Sequence, residues 1–332
     1  MTTKDKPIKW AVSTVSLGKH QNHTLARKFA AAAEARFQGL ELVHADLLKH
    51  AKIRDLTPIE AADEIKRLSK EHGLTILSLN PLKNFEGHAH TPLQQRLDTA
   101  REWFDLAIAV GTGIVQMPSQ FLADAITDHA VIIPELQTLA DLAAERSLSI
   151  AYEGVAFAKS NFTWQHSLEI VEAVNRPNFG LCLDSFHIHA RLWGDACAVD
   201  GKLPDADYDV HLSMVEFLEK CPRERILYVQ LSDASRFETP LTDDSPLYNG
   251  LEVKDSRLAW SRSRRPFPLE VPGYFPVTDI AKTWLVDYNW DGWVSLEGFL
   301  EETEIEANGP EDMAKRARQS INRLGTALGR TL

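Results

Sequence analysis

Four short apolar segments each stop on an oxygen-bearing side chain: Ile150-Ala151-Tyr152-Glu153, Leu181-Cys182-Leu183-Asp184, Leu227-Tyr228-Val229-Gln230 and Val294-Ser295-Leu296-Glu297. Each reads as a buried parallel strand. One such residue is most simply a helix cap or half of an ion pair. Four of them would converge if the strands closed into a barrel. Three carboxylates and a carboxamide aimed at one spot repel one another unless a cation sits among them. All-oxygen donors select a hard divalent ion, Mg²⁺ or Mn²⁺, over zinc. Glu153, Asp184, Gln230 and Glu297 are therefore the expected metal ligands.

His187 lies three residues beyond Asp184, in the run DSFHIH. A neutral imidazole there could take a proton from carbon, or it could orient a metal ligand; both readings stand. Glu153 is the second acid–base candidate. The run Trp260-Ser261-Arg262-Ser263-Arg264-Arg265-Pro266-Phe267 carries three arginines flanked by aromatics. Guanidinium forks bind carboxylates bidentately, so the expected partner is a small carboxylated molecule. Lys83 could add a second positive charge, and Glu41 and Gln116 could line the pocket. His88 and His90 have metal-ligand spacing, though an exposed loop explains them equally well.

These residues need a frame. Short apolar runs alternate with amphipathic stretches along the whole chain, which predicts parallel βαβ units. The expected strands are 8–17, 39–43, 74–79, 113–117, 149–152, 179–183, 226–231 and 292–296. The expected helices are 24–36, 58–72, 92–110, 133–146, 164–174, 209–220, 277–289 and 310–328. Eight units favour a closed (β/α)8 barrel over an open doubly wound sheet, with active-site residues at the C-terminal strand ends. Residues 233–275 form an insert after strand seven, too long for a plain connection, and read as a lid within one domain spanning 1–332.

Composition fits a globular enzyme: 332 residues, 44% hydrophobic and 25% charged. A formal charge of −11 argues against nucleic acid or an anionic membrane as partner. Cys182, Cys197 and Cys221 have no CxxC spacing, which fits a reduced compartment. No apolar run is long enough to span a bilayer and Met1–Trp10 lacks a signal-peptide core, so the cytoplasm is the expected location. Self-association is left open. There is no GxGxxG, Walker A, GxSxG or HExxH motif, so nucleotide and serine-hydrolase chemistry has no local support.

The stretches Asn175–Ile188 (NRPNFGLCLDSFHI), Tyr228–Ala234 (YVQLSDA), Trp260–Phe267 and Gly292–Phe299 (GWVSLEGF), with STVSLG and GLELV near the start, resemble the xylose isomerase-like TIM-barrel superfamily. Within it they are most similar to fungal 3-dehydroshikimate dehydratases of quinate/shikimate catabolism. Strand three ends in Asn80-Pro81, where the resemblance leads one to expect Gln before the proline. The resemblance implies the same four metal ligands. It also implies a catalytic role for His187 and contact of Arg262 and Arg265 with a substrate carboxylate. The implied reaction is metal-dependent dehydration of 3-dehydroshikimate to protocatechuate through an enolate, with His187 the first choice of base. A keto-sugar isomerase or epimerase on the same metal site is the rival, and a non-catalytic barrel that binds a small acid is the third reading.

Overall fold

A computed structural model describes residues 8–271 and 273–332. Eight parallel strands close a barrel: β1 (Lys9–Ser13), β2 (Gly39–Val43), β3 (Thr75–Asn80), β4 (Ile114–Pro118), β5 (Ser149–Glu153), β6 (Phe179–Asp184), β7 (Ile226–Leu231) and a closing strand, Trp293–Leu296, which pairs with β7 and β1. Strand side chains alternate between the barrel interior and the helix layer. The interior is floored by a small cluster of Ala11, Leu77, Ala151, Cys182 and Tyr228. The intervening residues, among them Val12, Leu40, Val115, Ile150, Leu181 and Val229, join the large core beneath the helices. Above the floor the interior turns polar, and that switch places the chemistry.

The helices start where side chains can take up the unpaired backbone N–H groups of the first turn. Thr24 caps α1 (Leu25–Glu34), and Thr57 with Glu60 forms a reciprocal capping box on α3 (Pro58–Glu71). Gly111, at φ 87°, ends α4 (Leu93–Val110) in the left-handed conformation that glycine adopts without steric cost. Next come α5 (His129–Ala144) and α6 (Trp164–Val174), and α11 (Pro310–Leu328) closes the chain.

Several expectations are corrected. The first strand stops at Ser13, and Thr14–Leu17 coils into a 3₁₀ turn. There the Thr14 hydroxyl takes the Val43 N–H at 3.0 Å. Two helices outside the insert were not expected: α2 (His44–Arg54) and α7 (Ser185–Leu192). The first is weakly amphipathic and has no side-chain cap. The second is built from poor helix formers, and burial of Ser185 through Ala190 overrides propensity. α8 (Ala206–Lys220) begins earlier than expected. The insert is not irregular throughout: Asp255 caps α9 (Ser256–Ser263), and Arg264–Arg265 then pairs antiparallel with Phe299–Leu300. The helix expected over 277–289 is α10 (Val277–Lys282) continued by a π-helical turn, Thr283–Asp287. Among the described residues no helix is long and apolar enough to cross a membrane. The three cysteines are free.

The loop from β3 to α4 is tied down from below. Arg96 makes a buried fork to Glu135 (2.8 and 2.6 Å) and also donates to the Phe85 carbonyl, while Glu135 accepts the Gly87 N–H at 2.7 Å. Glu135→Ala would strand the Arg96 guanidinium in the interior. We expect a loss of roughly 3–5 kcal/mol, read as a lowered thermal midpoint and as raised proteolysis within 81–92. An unchanged midpoint would show that the fork is dispensable.

Candidate active site

The strand register brings the candidate ligands to one level. Asp184 pairs with Gln230 across β6 and β7, and Glu153 pairs with Pro118 and Cys182 on either side. Asp184 does two jobs. Its Oδ1 accepts the Phe186 N–H at 2.8 Å and so starts α7, and its Oδ2 accepts Arg265 Nη2. Arg265 Nη1 reaches Glu297 Oε2 at 3.0 Å, and its Nε donates to Ser232 Oγ at 2.8 Å. Arg265 lines the cavity, where contact with a substrate carboxylate is expected, and its guanidinium is already engaged by two carboxylates. It is 1% exposed and bridges two of the expected metal ligands.

Glu153 receives the Gln116 amide N–H on Oε2, whereas its Oε1 is buried with no partner. His187 Nε2 lies 3.6 Å from that Oε1 and 3.7 Å from Asp184 Oδ2. His187 Nδ1 accepts the Ala156 N–H at 3.1 Å. A ring nitrogen that accepts carries no proton, so the neutral imidazole is the Nε2–H tautomer. It faces the carboxylates as a donor. Burial, reinforced by Arg265 and Arg262 against the pull of Asp184, pushes its pKa down to about 3. The ligand atoms of Glu153, Asp184 and His187 all lie within 4.8 Å of one another, but a protonated Nε2 cannot coordinate, and the oxygens are the fitting donors.

Gln230 is turned away from this group. Its Nε2 donates to both oxygens of Glu41 (3.0 and 3.1 Å), and its Oε1 accepts Cys182 Sγ at 3.3 Å. Glu41, expected on the pocket wall, lies fully buried in the barrel, where Tyr228 (2.7 Å), Asn80 (3.0 Å) and Ser78 (3.3 Å) also donate to it. The expected Gln116 does line the cavity, where it orients Glu153. Ser232 and Tyr228 escaped the sequence reading, as did the contact of Asn80 with Glu41, because a neutral side chain gives no sign of the charge it will meet.

The centre's electrostatics fit a cation. Burial, then the charges of Asp184 and Glu297, drives the Glu153 pKa well above the usual carboxylate range, with Arg265 opposing. Glu297 is raised to about 8 by burial, against the opposing charge of Arg265. Three clustered carboxylates, a single guanidinium and an orphaned oxygen form a set that a hard divalent ion would complete.

Above the centre lies a cavity of about 510 Å³ with an apolar wall that includes Val15, Leu82, Trp103, Phe121, Phe157 and Phe299. Lys83 lines it but is paired with Glu252 of the insert at 2.7 Å. Arg262 lines it too, its guanidinium 5.7 Å from the Phe299 ring, and it makes no ion pair among the described residues. Arg264 turns away and stacks on Phe237. The His88–His90 pair serves the loop: His88 Nδ1 accepts the His90 and Thr91 N–H groups, and exposed His90 pairs with Asp124.

Residues 29–324 match a family model described as a xylose isomerase-like TIM barrel. A 3-dehydroshikimate dehydratase of Neurospora crassa is 31% identical, aligned over 96% of this chain and 94% of that protein. A solved xylose isomerase-like TIM barrel/4-hydroxyphenylpyruvate dioxygenase fusion protein superposes with a TM-score of 0.75 at 27% identity, over 97% of this chain and 43% of that one. The IOLI protein, solved with a bound zinc atom, has the same fold at TM-score 0.70 and 18% identity, over 98% of this chain and 99% of that one.

The raised carboxyls set a pH dependence. A carboxyl whose pKa is higher in the folded than in the unfolded chain binds protons on folding. Its stabilising effect is complete below about 4.5 and fades as pH climbs towards the folded value. Glu297, raised to about 8, and Glu86 and Asp233, each raised to about 6, all act in this direction. Buried neutral His187 and His189, lowered to about 3 and about 4, act the other way up to about pH 6.5. In chelator, the thermal midpoint should therefore fall between pH 7 and 8, where Glu297 dominates, and excess Mn²⁺ should flatten the fall. A midpoint that rises over this range would contradict the electrostatics.

Proposed function

The chain belongs to the xylose isomerase-like TIM-barrel family, and on that premise we propose that it is a lyase that dehydrates 3-dehydroshikimate to protocatechuate. The observation that carries this reading is the pairing of Arg262 with the cavity wall: a guanidinium in no ion pair among the described residues, beside aromatic and aliphatic side chains. That combination suits a flat carboxylated ring. An open-chain keto-sugar would find few partners on such a wall and no use for the guanidinium. The name of the Neurospora relative, aligned over nearly the whole chain, points the same way.

In this reading Glu153, Asp184, Gln230 and Glu297 would hold a divalent metal, Mg²⁺ or Mn²⁺, and the Gln230 amide, which faces Glu41, would have to turn to join them. When bound, such an ion polarises a carbonyl oxygen and keeps the carboxylates ionised. Arg262 holds the substrate carboxylate and fixes the ring's orientation. The proton on the carbon beside the ketone passes to a base, and the hydroxyl on the next carbon leaves with a proton as water. Tautomerisation of the dienone then gives the aromatic diol. His187, the first-choice base from sequence, presents Nε2–H and is better placed to give the leaving hydroxyl its proton. Glu153 is then the base through Oε2, the oxygen the metal would leave free and which Gln116 orients. The insert over 233–275 acts as the lid, since Leu251 and Val253 pack with Phe121 and Phe157 and flank Glu252.

Purified protein mixed with 3-dehydroshikimate and Mn²⁺ or Mg²⁺ should generate catechol absorbance that chelator abolishes. No metal-dependent signal would remove this function, and binding of the acid without turnover would favour a sensor. His187→Ala should lower kcat by roughly 10²–10⁴-fold; near-normal turnover would remove its acid role.

Two substitutions at the cavity should move KM in opposite directions. Arg262→Ala should raise it roughly 10–100-fold, the equivalent of one charge-assisted hydrogen bond. Glu252→Gln frees Lys83 for the substrate and should lower it by up to about 5-fold, as suits a half-exposed pair. A KM raised by Glu252→Gln would mean that the pair holds the lid instead of competing for Lys83.

A further inference from the structure

Arg265 stands apart from the other cations of the mouth. Its guanidinium joins Asp184 and Glu297, its Nε is fixed on Ser232 Oγ, and its Cζ lies 4.7 Å and 5.5 Å from the rings of Phe186 and Phe299. Ser232 is itself held, donating its N–H to Ser185 Oγ and accepting that hydroxyl on its carbonyl. The Arg265 backbone is paired with Phe299. So held, and only 1% exposed where it lines the cavity, the side chain is fixed in place. It also differs from an ordinary buried ion pair, because one guanidinium serves two carboxylates while Glu153 stays without a cation of its own.

Buried carboxylates gathered this closely oppose folding unless something offsets their charge. A planar fork can bridge two of them at once, which an ammonium cannot do with the same geometry. We propose that Arg265 is the resident counter-ion of the acidic centre. It is a positioning residue that lets the barrel close before any metal arrives, and it weakens the centre's hold on the divalent ion by like-charge repulsion. The second half of this proposal rests on the reading that the centre takes a metal; the first half does not.

The test compares wild type, R265K, R265Q and the double variant R265Q/E297Q. Thermal midpoints are measured in chelator and in excess Mn²⁺, and Mn²⁺ affinity by calorimetry. R265Q should lower the midpoint in chelator by roughly 10 °C. Its Mn²⁺-induced rise should exceed that of wild type, and its Mn²⁺ Kd should be about 10-fold tighter. R265K should fall between the two. R265Q/E297Q, which removes one carboxylate together with the cation, should regain much of the lost midpoint in chelator, and this holds as a test even if R265Q alone fails to fold without metal. A Mn²⁺ response in R265Q no larger than in wild type, or a weaker Kd, would overturn the proposal and leave Arg265 a strut for the ligands. So would a double variant no more stable than R265Q. If wild type itself ignores Mn²⁺, the metal reading falls, and the two chelated variants alone decide whether Arg265 is the counter-ion.

Discussion

Closing a barrel around several carboxylates puts like charges where water cannot screen them, and much of the upper half of this molecule answers that constraint. Each buried acid has its own remedy. Glu41 is surrounded by neutral donors from Asn80, Tyr228, Gln230 and Ser78. Asp184 is shared between the first turn of α7 and Arg265. Glu297 leans on the same guanidinium. Glu153 has only the Gln116 amide, and one of its oxygens is left over. The unpartnered oxygen falls on the carboxylate that no guanidinium bridges among the described residues.

This arrangement separates the tasks of the cations. Arg265 belongs to the acidic centre, Lys83 to the insert, and Arg262 to the cavity. Three basic residues that look alike in a sequence differ by where the backbone delivers them: from the antiparallel bridge, from the loop after β3 and from α9. The same holds for the histidine. A single backbone N–H, that of Ala156, decides on which nitrogen the His187 proton sits, and so whether the ring faces the carboxylates as donor or acceptor. Chemistry in this barrel is set as much by such oriented neutral groups as by the charged residues they address.

The parts legible in advance were those with a local physical signature. Buried parallel strands are continuous apolar runs, so seven of the eight strands lay within one residue of their expected bounds at both ends, and the oxygen-bearing residues at four strand ends stood out against them. Helices with clean amphipathic periods, such as α6 and α11, were equally plain. α7 was hidden because Phe186, His187, Ile188 and His189 have little preference for helix. The turn exists because Asp184 caps it and the core encloses it. The insert's short helix escaped for a related reason: only Asp255, one capping residue, announces it.

The sequence by itself determined the eightfold alternation, the strand ends that carry acids, and the presence of arginines in a segment too long to be a plain turn. These follow from periodicity and residue type, which are properties of neighbours along the chain. Tertiary structure alone decided which arginine meets which carboxylate, that Glu41 lies within the barrel instead of on the cavity wall, that Gln230 faces Glu41, and which nitrogen of His187 bears the proton. Each of those outcomes depends on groups 30 to 190 positions apart arriving at hydrogen-bond distance. Closure of the barrel sets such distances, and no local pattern encodes them.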